Sequence, residues 1–218
     1  MNVVITGGNR GIGLALTKKF LGEGHNVTVL CRTSSSELDE TEAKVVTNID
    51  VTDEKSLEGA VSKIEGNVDI LISNAGVLIG DSFESFDFGD LQKQVEVNTF
   101  GPLKLARAFS SKLTLGSKYG IITSRMGSIS DNTSGGQYGY RLSKAAANAV
   151  GKSLAEDFRS QEVTVLLLHP GYVKTDMTGG RGLIETTESA DGLFRLLIEK
   201  SLSQTGTFWH TSGEELPW

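Results

Sequence analysis

The sequence predicts an α/β protein: a doubly wound, open parallel sheet of about seven strands with helices on both faces. Three observations carry this. Short apolar, β-branched runs recur along the chain without polar alternation, as strands buried on both faces do. Amphipathic helical stretches separate them, which makes a βαβ alternation with right-handed crossovers. A cluster of four glycines in "ITGGNRGIG", Ile5 to Gly13, stands where the first strand turns into the first helix.

In chain order the expected strands are Val3–Thr6, Asn26–Cys31, Val45–Ile49, Val68–Ser73, Gly120–Ser124, Val163–His169 and Thr207–Trp209. The first helix is expected over Gly11–Glu23. Another follows Asp53 as its cap, because Leu57, Ala60, Val61 and Ile64 fall on one face. A long helix is expected near Asp90–Leu115, then Tyr140–Arg159, then Glu188–Leu202 with Leu193, Phe194, Leu197 and Ile198 inward.

At 218 residues the chain fits one domain spanning residues 1–218, with no linker, repeat or second composition regime. A net charge of −6 excludes the basic footprint that nucleic-acid binding needs. The single Cys31 cannot form an internal disulfide, and it reads as a small filler rather than a reactive thiol. No run approaches the roughly 20 apolar residues of a membrane span. The opening "MNVVITGG" lacks a charged region followed by a long apolar run, so no leader, no membrane association and a cytoplasmic location are expected. No metal site is expected.

Glycine within a regular element costs roughly 0.5–1 kcal/mol against alanine, so four together need a local reason. In a doubly wound sheet the first strand-to-helix turn is where a phosphate sits: helix N–H groups and the macrodipole favour an anion, and glycine admits the diphosphate to the backbone. Gly7, Gly11 and Gly13 have that placement.

The spacing Thr6-Gly7-x-x-x-Gly11-Ile12-Gly13, with Asn9 and Arg10 inside it, resembles the short-chain dehydrogenase/reductase family. The resemblance continues in order through Asp50-Val51, Asn74-Ala75-Gly76, Asn98, Ser124, Tyr140-x-x-x-Lys144 and Pro170-Gly171 with Val173 and Thr175, and it covers essentially the whole chain. The stretches "SRMGSISDNTSGGQYGYRLSK" and "GTFWHTSGEELPW" are similar to the C-factor and sniffer-type carbonyl reductase branch. The resemblance implies a Rossmann-type fold and a nicotinamide dinucleotide. It implies that Asp50 bonds the adenine amino group, that Asn74, Ala75 and Gly76 lie against the adenosine ribose, and that Val173 and Thr175 hold the carboxamide.

NAD binders place an acid about 20 positions after the glycine turn, on the ribose 2′-OH. Here the second strand ends Leu30-Cys31-Arg32, so that acid is missing. Arg10 and Arg32 are placed to flank a 2′-phosphate, with Ser34 adding a hydroxyl, so NADP(H) is expected over NAD(H).

Tyr140 and Lys144 stand four residues apart at a helix start and share a face. An unperturbed phenol, with pKa near 10, is a poor acid at neutral pH. The neighbouring ammonium and a cationic nicotinamide are expected to bring it down, so that Tyr140 protonates a carbonyl as hydride arrives, or the reverse. The resemblance gives Lys144 a second task on the nicotinamide ribose. It also makes Ser124 the group that polarises the carbonyl, with Ser128 the alternative, and makes Asn98 a helix kink that holds a relay water. Tyr138 has Leu142, not a lysine, four places on and is expected to line the substrate pocket. Lys174–Glu188 occupies the place of the family's substrate lid. It is short and glycine-bearing, so an open, mobile cleft is expected.

Two functional readings follow: an NADPH-dependent reductase of a small carbonyl compound, or an alcohol dehydrogenase in reverse; and a dinucleotide-binding sensor or signalling protein with little turnover. A serine hydrolase lacks its G-x-S-x-G elbow. The resemblance implies a homodimer or homotetramer through the long central helix and the Tyr140 helix. Substrate identity, and whether Leu216-Pro217-Trp218 covers an interface or the cleft, are left open.

Overall fold

A computed structural model describes residues 1–218. The strands are β1 (Asn2–Thr6), β2 (Asn26–Leu30), β3 (Lys44–Val46), β4 (Ile70–Ser73), β5 (Lys118–Ile122), β6 (Thr164–His169) and β7 (Thr207–His210). They form one parallel sheet in the order β3-β2-β1-β4-β5-β6-β7. The helices are α1 (Gly11–Gly22), α2 (Ser36–Asp39), α3 (Glu54–Val61), α4 (Phe88–Val95), α5 (Gly101–Phe109), α6 (Tyr138–Asp157) and α7 (Thr186–Glu199). No helix is long and apolar enough to cross a membrane.

Side chains alternate between the two faces of the sheet, so each strand feeds two cores. Val4, Leu71, Tyr119, Ile121 and Val165 pack on one face with Leu57 of α3, Leu105 and Phe109 of α5 and Leu154 of α6. Val3, Ile5, Ile70, Ile72, Leu166 and Leu168 pack on the other with Leu16 and Phe20 of α1 and Leu193 and Leu197 of α7. This double burial is why the strands read as continuous apolar runs.

Element boundaries differ from expectation for local reasons. β3 stops at Val46, ahead of Asn48, which takes a left-handed φ of 62°. The expected helix Asp90–Leu115 is three pieces. Asp87 caps α4 by accepting from the Asp90 N–H at 3.0 Å, a π-helical turn over Glu96–Phe100 follows, and α5 ends at Phe109, well before the exposed Leu115. α6 starts two residues early, at Tyr138. Cys31 is buried, and burial pushes its thiol up, as suits a filler.

The chain builds β1, β2 and β3 outward and then returns to place β4 on the other side of β1. That reversal opens a crevice at the carboxyl ends of β1 and β4, where such sheets hold ligands.

Two helical glycines test this packing. Gly59 in α3 has open space around its missing Cβ, so Gly59→Ala should gain stability by about 0.5–1 kcal/mol from backbone entropy and propensity. In α7, a Cβ on Gly192 would stand 2.2 Å from the Thr211 carbonyl oxygen, which is backbone and cannot swing away. Gly192→Ala should therefore lose about 1–3 kcal/mol, the overpacking exceeding the propensity gain. Urea unfolding of both variants reads the two signs.

Candidate active site

The glycine turn lies against the β4 exit. Gly7 has φ 67° and Gly11 φ 55°, a region closed to most side chains. A Cβ on Gly7 would stand 3.0 Å from Ala75 Cα, and one on Gly13 2.2 Å from the Gly7 carbonyl oxygen and 2.4 Å from Asn74 Nδ2. Thr6 Oγ1 accepts from the N–H groups of Asn74 and Ala75 at 3.0 and 3.2 Å, and Asn74 Nδ2 donates to the carbonyls of Thr6 and Gly7 at 3.1 and 3.0 Å. Asn9 Nδ2 donates to Thr33 O at 3.0 Å, tying the turn to the loop after β2. At the start of α1, Arg10 makes no side-chain cap and the first turn carries no acid, while Ile12 leans into the core. An uncapped helix N-terminus behind a glycine cradle fits a diphosphate.

Around this cradle the other expected contacts have local employment. Asp50 Oδ1 accepts from Thr52 N at 2.9 Å and Thr52 Oγ1 at 2.8 Å, bonds that hold its carboxyl below the usual range, with Arg32 and Lys104 adding to the effect. Val51 packs on the α5 start, where a Gly101 Cβ would stand 3.1 Å from it. Arg10 pairs with Asp176 at 3.5 Å, both exposed, and Arg32 is exposed. Ser34 is turned to Asp39 at 2.5 Å. Gly76 closes on the chemistry side: a Cβ there would stand 3.2 Å from Asn98 Oδ1 and 3.8 Å from Lys144 Nζ.

Beyond β5, Thr123 and Ser124 leave the sheet. Ser124 Oγ accepts from the Met126 N–H at 3.2 Å, and Ser124 pulls against the effect of burial on Tyr140. Ser128 accepts from the Asp131 N–H at 3.2 Å, with its hydroxyl 3.4 Å from that of Ser130. The loop sits directly on α6: a Cβ on Gly127 would meet Lys144 C at 2.6 Å. Lys144 Nζ donates to Ile122 O at 2.9 Å and stands 5.7 Å from the Tyr140 ring centre.

The lowering expected of Tyr140 counted a nicotinamide as well as the ammonium; the protein's own groups act the other way. Burial pushes Tyr140 up to about 12, against a smaller opposite pull from Ser124, and burial pushes Lys144 down to about 8. Desolvation favours the neutral form of each group and outweighs their mutual proximity.

Asn98 sits in the π turn, so the helix is distorted where the asparagine stands. Its side chain is a brace: Oδ1 accepts from Val77 N at 2.8 Å, and Nδ2 donates to Val77 O at 2.8 Å and Ser143 Oγ at 3.0 Å. Sequence reasoning missed three partners. Gln94, one helical turn before Asn98, clamps Ile79 in the same way; Ser143 hands the bond on to Tyr140 O at 2.8 Å; Asp81 accepts from the first N–H groups of α6. The four-residue step from Gln94 to Asn98 was the available signal; for Asp81 there was none.

After β6, Pro170 O accepts from Ser189 at 2.7 Å, Gly171 has φ 88°, Val173 is buried, and Thr175 opens a short 3₁₀ turn beside Gly11. Within the segment Lys174–Glu188 and its approach, Val173 bridges Ile184, Lys174 pairs with Glu185, and a Cβ on Gly182 would meet the Val173 carbonyl carbon at 2.1 Å. Tyr138 is half exposed, with the rings of Phe83 and Phe86 each 6.4 Å away. Trp218 is tied to the serine loop, its carbonyl accepting from Ser130 N at 3.0 Å and Oγ at 2.8 Å.

This sheet order, with a glycine turn at its reversal point, is the Rossmann-like architecture of dinucleotide-dependent oxidoreductases. The family model described as short chain dehydrogenase matches residues 1–183, and the chain belongs to that family. Among curated relatives it is 36% identical to a 1-hydroxy-2-glutathionyl-2-methyl-3-butene dehydrogenase of Rhodococcus sp. (strain AD45), over 99% of both chains. It is 37% identical to the C-signal protein of Myxococcus xanthus, over 73% of this chain and 98% of that one. Among solved structures, carbonyl reductase Sniffer of D. melanogaster superposes with a TM-score of 0.92 at 28% identity, covering 100% of this chain and 99% of that one. An NADPH-bound carbonyl reductase from chicken fatty liver gives 0.91 at 27% identity, covering 100% and 98%.

His169, at the end of β6, completes the rim. Burial, then His210 and the charges of Arg125 and Lys144, push it down to about 3, and its Nδ1 has no partner. The unfolded chain takes up that proton near pH 6.5 and the native state near 3, so stability is intact above 6.5 and falls as pH drops between them, by up to about 1.4 kcal/mol per unit. Urea unfolding at pH 7, 6, 5 and 4 should show this slope in the wild-type protein and a shallower one in His169→Asn.

Proposed function

We propose that residues 1–218 act as one NADP(H)-dependent unit that reduces a small-molecule aldehyde or ketone to an alcohol, with Tyr140 as proton donor. The observation that carries this reading is the buried Tyr140 phenol, with buried Lys144 one helical turn on and its Nζ 5.7 Å from the Tyr140 ring centre. Ser124 donates to the carbonyl oxygen and polarises it. Tyr140 transfers its proton to that oxygen as the C=O bond becomes C–O–H. Lys144, at about 8, exchanges protons near neutral pH and restores the phenol. A reduced nicotinamide supplies the hydride to the carbonyl carbon.

Thr6, Gly7, Asn9, Gly11, Ile12 and Gly13 would hold the diphosphate. Asp50, Val51, Asn74, Ala75 and Gly76 would line the adenosine side, and Pro170, Gly171, Val173 and Thr175 the carboxamide side, with Lys144 on the ribose. The missing acid after β2 and the two exposed guanidinium groups, Arg10 and Arg32, support the 2′-phosphate form. We take the enzyme to be cytoplasmic; a homodimer or homotetramer built through α5 and α6 fits the exposed Phe100 of the π turn, Leu103 of α5 and Leu142 of α6. The similarity to C-signal favours a second reading, a dinucleotide-bound signalling protein with little turnover.

Following NADPH consumption across aldehydes, ketones and quinones separates the two. The reductase reading expects carbonyl-dependent oxidation of NADPH, reduced roughly 10²–10⁴-fold in kcat/KM by Tyr140→Phe while NADPH binding persists. Tight NADPH binding with no turnover on any carbonyl would favour the signalling reading. Arg32→Ala should weaken NADPH by about tenfold or more, from a lost charge-assisted contact, and leave NADH unchanged.

A further inference from the structure

The segment Gly76–Asp81 leaves β4 and runs beside α4 and the π turn. Val77 is held through both its N–H and C=O by Asn98, and Ile79 through both by Gln94, at 3.0 and 3.2 Å. The spacings match: four helical residues rise about 6 Å and two extended residues about 6.6 Å. Two side chains one turn apart therefore clamp alternate residues of the segment. The next alternate position is Asp81, which faces α6 instead. Its carboxylate accepts from the N–H groups of Tyr138 at 2.5 Å and Gly139 at 2.9 Å, and its carbonyl accepts from Gln137 N at 3.3 Å.

α6 has no cap of its own. Gln137, at the cap position, is left-handed with φ 53° and makes no capping bond. A helix's first N–H groups need an acceptor, and here it is borrowed from another element. The contact is tight, since a Cβ on Gly139 would stand 2.3 Å from Gln94 Nε2 and 3.2 Å from Asp81 Oδ2. Tyr140 is the next residue.

We propose that Asp81 is a positioning residue of the reduction: by capping α6 from outside, it sets where the Tyr140 hydroxyl stands relative to Ser124. This rests on Tyr140 being the proton donor. Asp81 touches no reacting atom, so its removal should act on kcat and spare cofactor binding.

The test compares Asp81→Ala, Asp81→Asn and, as a control for losing any helix cap, Asp53→Ala in α3, where Asp53 accepts from Lys55 N at 2.9 Å. Steady-state kinetics, NADPH affinity, thermal unfolding and amide hydrogen exchange are measured on each full-length protein. Asp81→Ala should lower kcat roughly ten- to hundredfold, the scale of a misplaced reacting group, with NADPH affinity unchanged and exchange at Tyr138 and Gly139 accelerated. Asp81→Asn keeps one acceptor oxygen and should recover part of kcat; Asp53→Ala should lose stability and keep kcat. The proposal is overturned if Asp81→Ala turns over like the wild type, or if Asp53→Ala loses kcat equally. Should Asp81→Ala fail to fold, a kcat within about twofold of wild type in Asp81→Asn overturns it. Absence of turnover in the wild-type protein rejects the reductase reading instead, and exchange at Tyr138 and Gly139 still decides the cap.

Discussion

The rim of the sheet hangs on one buried amide, that of Asn98. It satisfies both backbone groups of Val77 and reaches Ser143, which passes the bond to the carbonyl of Tyr140. Thr99, the next residue, donates to Ser143 O at 2.7 Å. A buried polar group left unpaired costs roughly 1–3 kcal/mol, so a network in which each member is satisfied holds its parts in one arrangement. The π turn belongs to the same device. By interrupting the regular ladder it lets consecutive residues, Asn98 and Thr99, both reach α6. The β4 exit, the central helix and the tyrosine helix thus meet at one point.

The burial that rigidifies the rim also sets its charge. Tyr140 is raised, Lys144 and His169 are lowered, and desolvation is the leading cause in each case. All three are driven toward their neutral forms. For a reductase this is the useful resting state, because a phenol that still holds its proton is the form that protonates a carbonyl. The expectation from sequence weighed the ammonium and a bound nicotinamide and left out desolvation, which a linear motif does not display. Spacing along a helix says that two groups share a face; it does not say how much water they share it with.

The same distinction governs what was readable in advance. The number of strands follows from apolar runs and glycine punctuation, which are local properties, and Gly7, Gly11 and Gly13 announce their turn through spacing. Ser124 was preferred over Ser128 through the family resemblance, while the seating of their loop on α6, where Gly127 lies against Lys144, is visible only once folded. Asn48 ended β3 early through a left-handed residue that no apolar pattern reveals. Asp81 was invisible for a deeper reason, and Gln94 showed only its four-residue step to Asn98. Their partners are backbone groups of Ile79, Tyr138 and Gly139, and a backbone N–H carries no sequence signature.

What distinguishes this site from others on the same sheet lies in its outer walls. The loop after Ser124 is anchored by the last residues of the chain as well as by the sheet. Arg125 pairs with Asp131 at 2.9 Å and with Glu214 at 3.4 Å, and Ser130 bonds Trp218 O. Leu216 is buried with Leu167 and Phe208, and the Trp218 ring stacks on Phe208 at 5.7 Å, so the strap itself is fastened to β7. These outer segments also touch the helices of the site: Gly127 lies on Lys144 of α6, Gln137 N donates to Asp81 O, and Thr211 lies against Gly192 of α7. In the proposed reduction the strands and α6 would set where a proton is delivered, and residues 125–137, 172–188 and 211–218 would shape what is brought to it.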